Sequence, residues 1–352
     1  MIKHKKWISK ISRTNTFEES RHKKIRLDKN ERVSKFKTSF FKKIISKISS
    51  LSFTSYPEVY ELYKALSKLH KLNKNQFVIT AGIDGAIKSC FDLFVSKGDR
   101  VLVLQPTFAM LDIYCKISGA KKININYDKK LELNIGHLIG LVKKNVSLIV
   151  VANPNSPTGT LISKIDIEKI IKKANKYNVP ILVDEAYYGF SDLTVLPLLK
   201  KYKNLIISRT FSKAYGLAGL RVGYIISNSK LAKLIFNLKS MYEVNSVGIL
   251  ASLELLKNPN IRTKYISETK KGRDLLIKYL KFKNISFIKT QANFIYINIG
   301  NKINYFHNKL YKKGILTRKG MGIKGYGNYL RITLGPQEQI KLIISELKKI
   351  NI

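Results

Sequence analysis

Apolar positions in this chain fall into two patterns, short unbroken runs and longer stretches with a helical period. Val146-Ser147-Leu148-Ile149-Val150-Val151-Ala152 is the clearest run. It is branched at Cβ and too short for a helix, so it reads as a strand buried on both faces of a parallel sheet. Runs at 76–80, 99–106, 121–127, 179–188, 204–207 and 221–226 read the same way. Helical spacing falls between them, at 40–48, 59–69, 131–142, 165–177 and from Asp84 through Ile87, Phe91 and Phe94. From about Leu231 the pattern is mainly helical through Met241 and Leu256, and 260–280 is helical again. Strands are expected at 287–288, 292–297, 314–318 and 329–334, with helices at 305–312 and 337–349. Residues 1–25 have no period and read as a loosely held arm. Alternating strand and helix predicts an α/β fold: a large domain over 51–250 whose mostly parallel sheet lies between helical layers. A smaller α+β domain is expected from 26–50 together with 251–352.

Composition narrows the class. The chain has 352 residues, 45% hydrophobic and 25% charged, as ordinary globular proteins do. No apolar run approaches the roughly 18 residues that cross a membrane. The basic start, Met1-Ile2-Lys3-His4, is not followed by an apolar segment, so no secretory signal is read. Cys90 and Cys115 lack metal-type spacing and suit two reduced thiols in a cytoplasmic protein with no metal site. The net charge of +42 first suggests a polyanion binder. The lysines are spread along the whole chain, and no nucleic-acid motif accompanies them. The charge therefore implies salt-sensitive adhesion and steering of anionic substrates, with no specific nucleic-acid partner.

The candidate chemistry sits where runs end. After 204–207 come Ser208-Arg209-Thr210-Phe211-Ser212-Lys213-Ala214-Tyr215-Gly216, and then Arg221. Lys213 lies among small and apolar neighbours. An amine that is partly desolvated and flanked by cations titrates low and can attack a carbonyl. Thr210, Ser212 and Arg221 offer hydroxyls and a guanidinium fork suited to a phosphate. On residues alone the stretch is equally a connecting loop. Ala81-Gly82-Ile83-Asp84 opens a helix, which makes either a phosphate seat or a plain Asp84 cap. Asp184 follows Leu182-Val183 and is expected to be buried, either facing a cation or capping the next element. Phe108 is either a core ring or a lid on a flat ligand. Asn153-Pro154-Asn155-Ser156-Pro157-Thr158-Gly159 makes a rigid loop at a strand's carboxyl end, where open α/β sheets bind ligands.

Three of these motifs, in this order, resemble the fold-type I pyridoxal phosphate aminotransferases, and within them the histidinol-phosphate aminotransferase branch. They are the 153–159 loop, Asp184-Glu185-Ala186-Tyr187, and Thr210-Phe211-Ser212-Lys213 through Arg221. The resemblance runs from about Ile25 to the C-terminus. It implies the aspartate aminotransferase-like fold, pyridoxal 5'-phosphate as cofactor, and a small-molecule amino donor with a 2-oxo acid acceptor. It implies that Lys213 carries the cofactor covalently and then moves a proton, with Asp184 on the pyridine nitrogen and Tyr187 on the ring oxygen. Phe108 would stack on the ring. Ile83 and Asp84 would offer backbone N–H groups to the phosphate, with Thr210, Ser212 and Arg221. Tyr56 would reach the neighbouring site of a homodimer. Arg331 would hold the substrate's anionic group, Arg318 would be a second anion contact, and Asn30 would line the substrate side.

The departures from the family pattern are local. Ser156 stands where an asparagine usually bonds the ring oxygen, so either its hydroxyl or a shifted Asn155 takes that role. Arg32-Val33 replaces an Asn-Pro pair, and Glu243 replaces an asparagine in Met241-Tyr242-Glu243-Val244-Asn245. The cofactor shell is thus nearly intact and the substrate shell altered. The competing readings are a decarboxylase of phosphorylated amino acids, which uses the same cofactor, and a basic scaffold that binds polyanions.

Overall fold

The computed structural model describes residues 5, 7–11, 20–323 and 325–350. Its strands in chain order are β1 (Ile25–Arg26), β2 (Phe77–Thr80), β3 (Arg100–Gln105), β4 (Lys121–Asn126), β5 (Val146–Ala152), β6 (Ile181–Asp184) and β7 (Leu205–Thr210). There follow β8 (Gly223–Ser227), β9 (Phe287–Ile288), β10 (Phe294–Asn298), β11 (Ile315–Leu316), β12 (Arg318–Lys319) and β13 (Tyr329–Thr333). The large sheet has the order β2-β8-β7-β6-β5-β3-β4. Only β8 runs against its neighbours; the other pairs are parallel.

The unbroken apolar runs are explained by burial on both faces. Ile149, Val151, Ile181, Val183, Leu205 and Ile207 enter one core cluster. The alternate residues Leu148, Val150, Leu182 and Ile206 enter the other. Each such side chain, fully buried, contributes about 1.5–3 kcal/mol, so neither face tolerates a polar position without a partner. Arg209 and Glu185 supply the test case. Both lie on the first face, 2% and 1% exposed, with Arg209 Nη2 at 2.8 Å from Glu185 Oε2. Glu185 also accepts from Thr194 Oγ1 and the Val195 N–H, and the guanidinium lies over the Tyr188 ring. Removing one partner strands the other's charge in the core, whereas removing both charges does not. Arg209→Met is therefore expected to cost about 3–5 kcal/mol in urea denaturation. Adding Glu185→Gln should recover most of that loss.

The smaller body is the antiparallel sheet β12-β13-β10-β9 packed on the helices Pro259–Phe282 and Gln337–Leu347. Leu276, Leu280, Ile295, Ile297, Ile332 and Ile340 form its core. Residues 26–50 divide between the two bodies: Leu27 enters the smaller core, while Phe40 and Ile44 pack in the larger one.

Three expectations are corrected. The helix expected over 131–142 is Ile135–Leu141. Leu131 holds a left-handed φ of 63°, and Asn134 Oδ1 caps the helix by accepting the His137 N–H at 2.8 Å. The strand expected over 179–188 is only β6, because Asp184 Oδ1 accepts the Ala186 N–H at 2.9 Å and turns the chain. The arm is seated wherever it is described: the Trp7 indole donates to Ile117 O at 3.1 Å, and β1 pairs in parallel with β11. Its residues 1–4, 6 and 12–19 lie outside the described residues.

Candidate active site

A cavity of about 720 Å³ opens where β5, β6 and β7 end. It is lined by Ile83, Asp84, Phe108, Ser156, Asp184 and Tyr187, by Thr210 at the end of β7, and by Ser212, Lys213 and Arg221 from the segment after it. Asn30, Arg318 and Arg331 line it as well. Each arrives there for a local reason. Asp184 and Thr210 are the last residues of adjacent parallel strands, and strand ends of one sheet face the same crevice.

Asp184 is 5% exposed. Its oxygens meet the Ala186 N–H at 2.9 Å and Ser208 Oγ at 3.4 Å, and no cation among the described residues is bonded to it. Burial pushes its carboxyl up to about 7, more than those two hydrogen bonds lower it. The sign of the linkage follows. The folded chain keeps this proton to higher pH than the unfolded chain, so the group's contribution to stability is full below about 4 and falls as pH rises toward 7. For the cofactor-free protein, Asp184→Asn should gain stability over the parent, and the gain should be larger at pH 8 than at pH 5. Thermal unfolding at the two pH values measures it.

The helix Gly82–Phe94 starts at the cavity's edge. Arg221 holds a left-handed φ of 54°. Its Nη1 donates to Ser212 Oγ at 3.3 Å and its Nη2 to Asp84 Oδ2 at 3.3 Å. Asp84 Oδ1 is buried with no partner among the described residues. A Cβ on Gly82 would stand 2.8 Å from Arg221 Nη2, so glycine lets the guanidinium lie over the helix start. Thr210 Oγ1 accepts the Ser212 N–H at 3.0 Å and fixes that loop. Helix N–H groups, a guanidinium and two hydroxyls make a phosphate cradle. Glu243 Oε1 accepts the Ala81 N–H at 3.1 Å, and burial raises its pKa.

Between the cradle and the arginines, Lys213 Nζ donates to Lys29 O at 3.2 Å and lies 5.9 Å from the Tyr187 ring centroid. Tyr187 OH accepts from Asn30 Nδ2 at 3.0 Å. Asn30 is 3% exposed and is held by Thr333, so its side chain is a buried part of the site's wall. Arg331, 5% exposed, donates from Nη2 to Asp28 O, while its Nε is buried with no partner among the described residues. Burial lowers its pKa. Arg318 is its direct cross-strand partner. Like charges placed opposite each other on a sheet repel, and an anion between them removes that cost. The buried acid facing a cradle and an amine fits the ring, phosphate and carbonyl of pyridoxal phosphate.

Two expected residues do not line the cavity. Asn155 is fully buried, and its Nδ2 donates to Pro106 O at 2.9 Å and Thr158 Oγ1 at 2.8 Å. It locks the loop, and Ser156 takes the lining position. Tyr56 is 73% exposed and stacks on Tyr242 with centroids 4.1 Å apart, away from its own chain's cavity. The sequence reading missed Tyr296 and Lys29, which also line the site. Tyr296 sits in a strand whose neighbours are all buried, so periodicity carried no signal. Lys29 contributes a backbone carbonyl, which residue type cannot reveal.

Comparison with known proteins agrees with this geometry. The family model for Aminotransferase class I and II matches residues 23–347. The histidinol-phosphate aminotransferase of Caldanaerobacter subterraneus subsp. tengcongensis is 38% identical over 281 residues, covering 79% of this chain and 78% of the relative. That of Carboxydothermus hydrogenoformans is 34% identical over 329 residues, 93% of each. The crystal structure of histidinol-phosphate aminotransferase from Sinorhizobium meliloti in complex with pyridoxal-5'-phosphate superposes with a TM-score of 0.82 at 21% identity, covering 92% of this chain and 89% of that one. The fold is aspartate aminotransferase-like, with a mostly parallel central sheet and a smaller second body. The chain belongs to the class I and II aminotransferases and is a pyridoxal phosphate-dependent enzyme that transfers amino groups.

Proposed function

We propose that this enzyme moves an amino group from a small amine carrying a second, anionic group to a 2-oxo acid, and that histidinol phosphate is the first donor to test. The observation that supports this most is one cavity holding Lys213 and Asp184 beside a phosphate cradle and lined also by the cross-strand pair Arg318 and Arg331. Pyridoxal phosphate bound there supplies an electron-accepting ring and a reactive carbonyl carbon. The chain's own residues do the rest. Asp184 holds a proton on the ring nitrogen, and its burial makes that ion pair strong. Tyr187, oriented by Asn30, and Ser156 steady the ring oxygen. Lys213 Nζ takes the proton from the substrate Cα as general base. Arg331 fixes the substrate's carboxylate or phosphate, leaving the Cα–H bond beside the amine. Arg318 takes a second negative charge.

The working form on this reading is a homodimer in the cytoplasm. Tyr56, exposed in one protomer beside exposed Phe53 and Met241, would complete the partner's phosphate cradle. Cys90 and Cys115 are buried free thiols, which suits a reducing compartment. Arg32 and Glu243 depart from the family pattern without lining the cavity, so the donor is identified directly. A screen of amino donors against the holoprotein, read by loss of the cofactor's visible absorption, decides it. Histidinol phosphate is expected to discharge the band and produce the keto product. Release of carbon dioxide from a phosphorylated amino acid, with no amine transfer, would favour the decarboxylase instead.

A further inference from the structure

A second cavity, of about 540 Å³, lies on the other side of Arg32 from the catalytic lysine's loop. One wall is the segment running into the helix Thr38–Ile45 and the other is the helix Pro259–Phe282. Its inner surface is apolar, formed by Phe36, Phe40, Ile261 and Tyr265. Its rim is cationic: Lys35, Lys37 and Lys264 are exposed there. The rim carboxylate Glu268 is already paired with Lys271. Arg32 joins the two regions. Its guanidinium lies between the Phe36 and Tyr265 rings, 4.4 and 4.1 Å from their centroids. Nε donates to Ser34 O, but Nη1 is buried with no partner among the described residues.

A buried guanidinium nitrogen without an acceptor forfeits a charge-assisted hydrogen bond. Burial accordingly lowers the pKa of Arg32. The catalytic cavity does not include Arg32. We infer that this cavity is a second ligand site, one that takes an amphipathic anion whose apolar body fills the aromatic interior while its carboxylate or phosphate meets Arg32 and the lysine rim. The site touches the catalytic machinery through packing. Arg32 lies against Gly216, where a Cβ would stand 2.4 Å from Arg32 Cδ, and the Gly216 N–H is bonded to Lys213 O at 3.0 Å.

The test uses the holoenzyme and 4-phenylbutyrate as probe, with acetate as the anion lacking an apolar body. Calorimetry should give a Kd below about 1 mM for phenylbutyrate and no measurable heat for acetate. Arg32→Met should weaken phenylbutyrate at least about tenfold. Ile261→Trp, which fills the cavity, should do the same while transamination is unchanged. Lys264→Glu, a surface change that leaves the core alone, should weaken it severalfold and covers the case in which Ile261→Trp fails to fold. Absence of phenylbutyrate binding would overturn the inference. So would binding that survives Arg32→Met and Lys264→Glu, or binding lost only in Arg331→Met, which would place the probe in the catalytic cavity.

Discussion

Lys213→Ala is expected to lower transamination by at least about 10³-fold, with the protein still folded and still able to bind pyridoxal phosphate. Loss of a positioned general base alone costs about 10²–10⁴-fold, and here the same amine also anchors the cofactor. Binding should persist because the cradle of Arg221, Ser212 and the helix Gly82–Phe94 is independent of residue 213. Lys213 donates to a backbone carbonyl, Lys29 O, so its removal leaves no buried charge behind. The discriminating readout is the split between near-normal thermal unfolding and absent turnover in single-turnover assays. A variant that keeps even a tenth of parental turnover would remove Lys213 from the chemistry.

Asp184→Asn should have the second largest effect, a fall in kcat of about 10²–10⁴-fold. Breaking a buried ion pair by removing one charge costs about 3–5 kcal/mol, and each 1.36 kcal/mol of lost transition-state stabilisation is tenfold in rate. The amide keeps the shape and can still accept the Ala186 N–H, so the turn after β6 survives. It cannot keep a proton on a ring nitrogen. Cofactor affinity should fall less than kcat does, because the phosphate end is untouched. The cofactor-free variant should be more stable than its parent at pH 8, since the parent must bury a carboxylate that titrates near 7. Loss of activity together with a loss of cofactor-free stability at pH 8 would instead make Asp184 a structural residue.

Much of this molecule is legible in its sequence. Runs such as 146–152 admit only a strand covered on both faces, and the motifs at their carboxyl ends face one crevice because parallel strands end together. The boundaries were less legible because they are set by single side chains making local bonds. Asn134 starts a helix that periodicity placed from residue 131, and Asp184 ends a strand that apolar content carried to residue 188. Asn155 and Ser156 were both open at sequence level. Only the loop's own bonding to Pro106 and Thr158 turns the first inward. The Glu185–Arg209 pair was hidden for another reason. Each residue sits next to a site residue, and strand parity sends the two of them to the opposite face of the sheet from Asp184 and Thr210. Asn30 joins Tyr187 across 157 residues of sequence, a contact no local pattern encodes.

The central claim is that a single amine, at residue 213, reaches the cofactor's carbonyl carbon. Reducing the pyridoxal phosphate-loaded protein with borohydride and mapping its peptides by mass tests that without reference to any substrate. One pyridoxyl adduct on the peptide containing Lys213 is the predicted result. An adduct on another of the chain's many lysines, or none at all while the absorption band persists, would contradict the assignment.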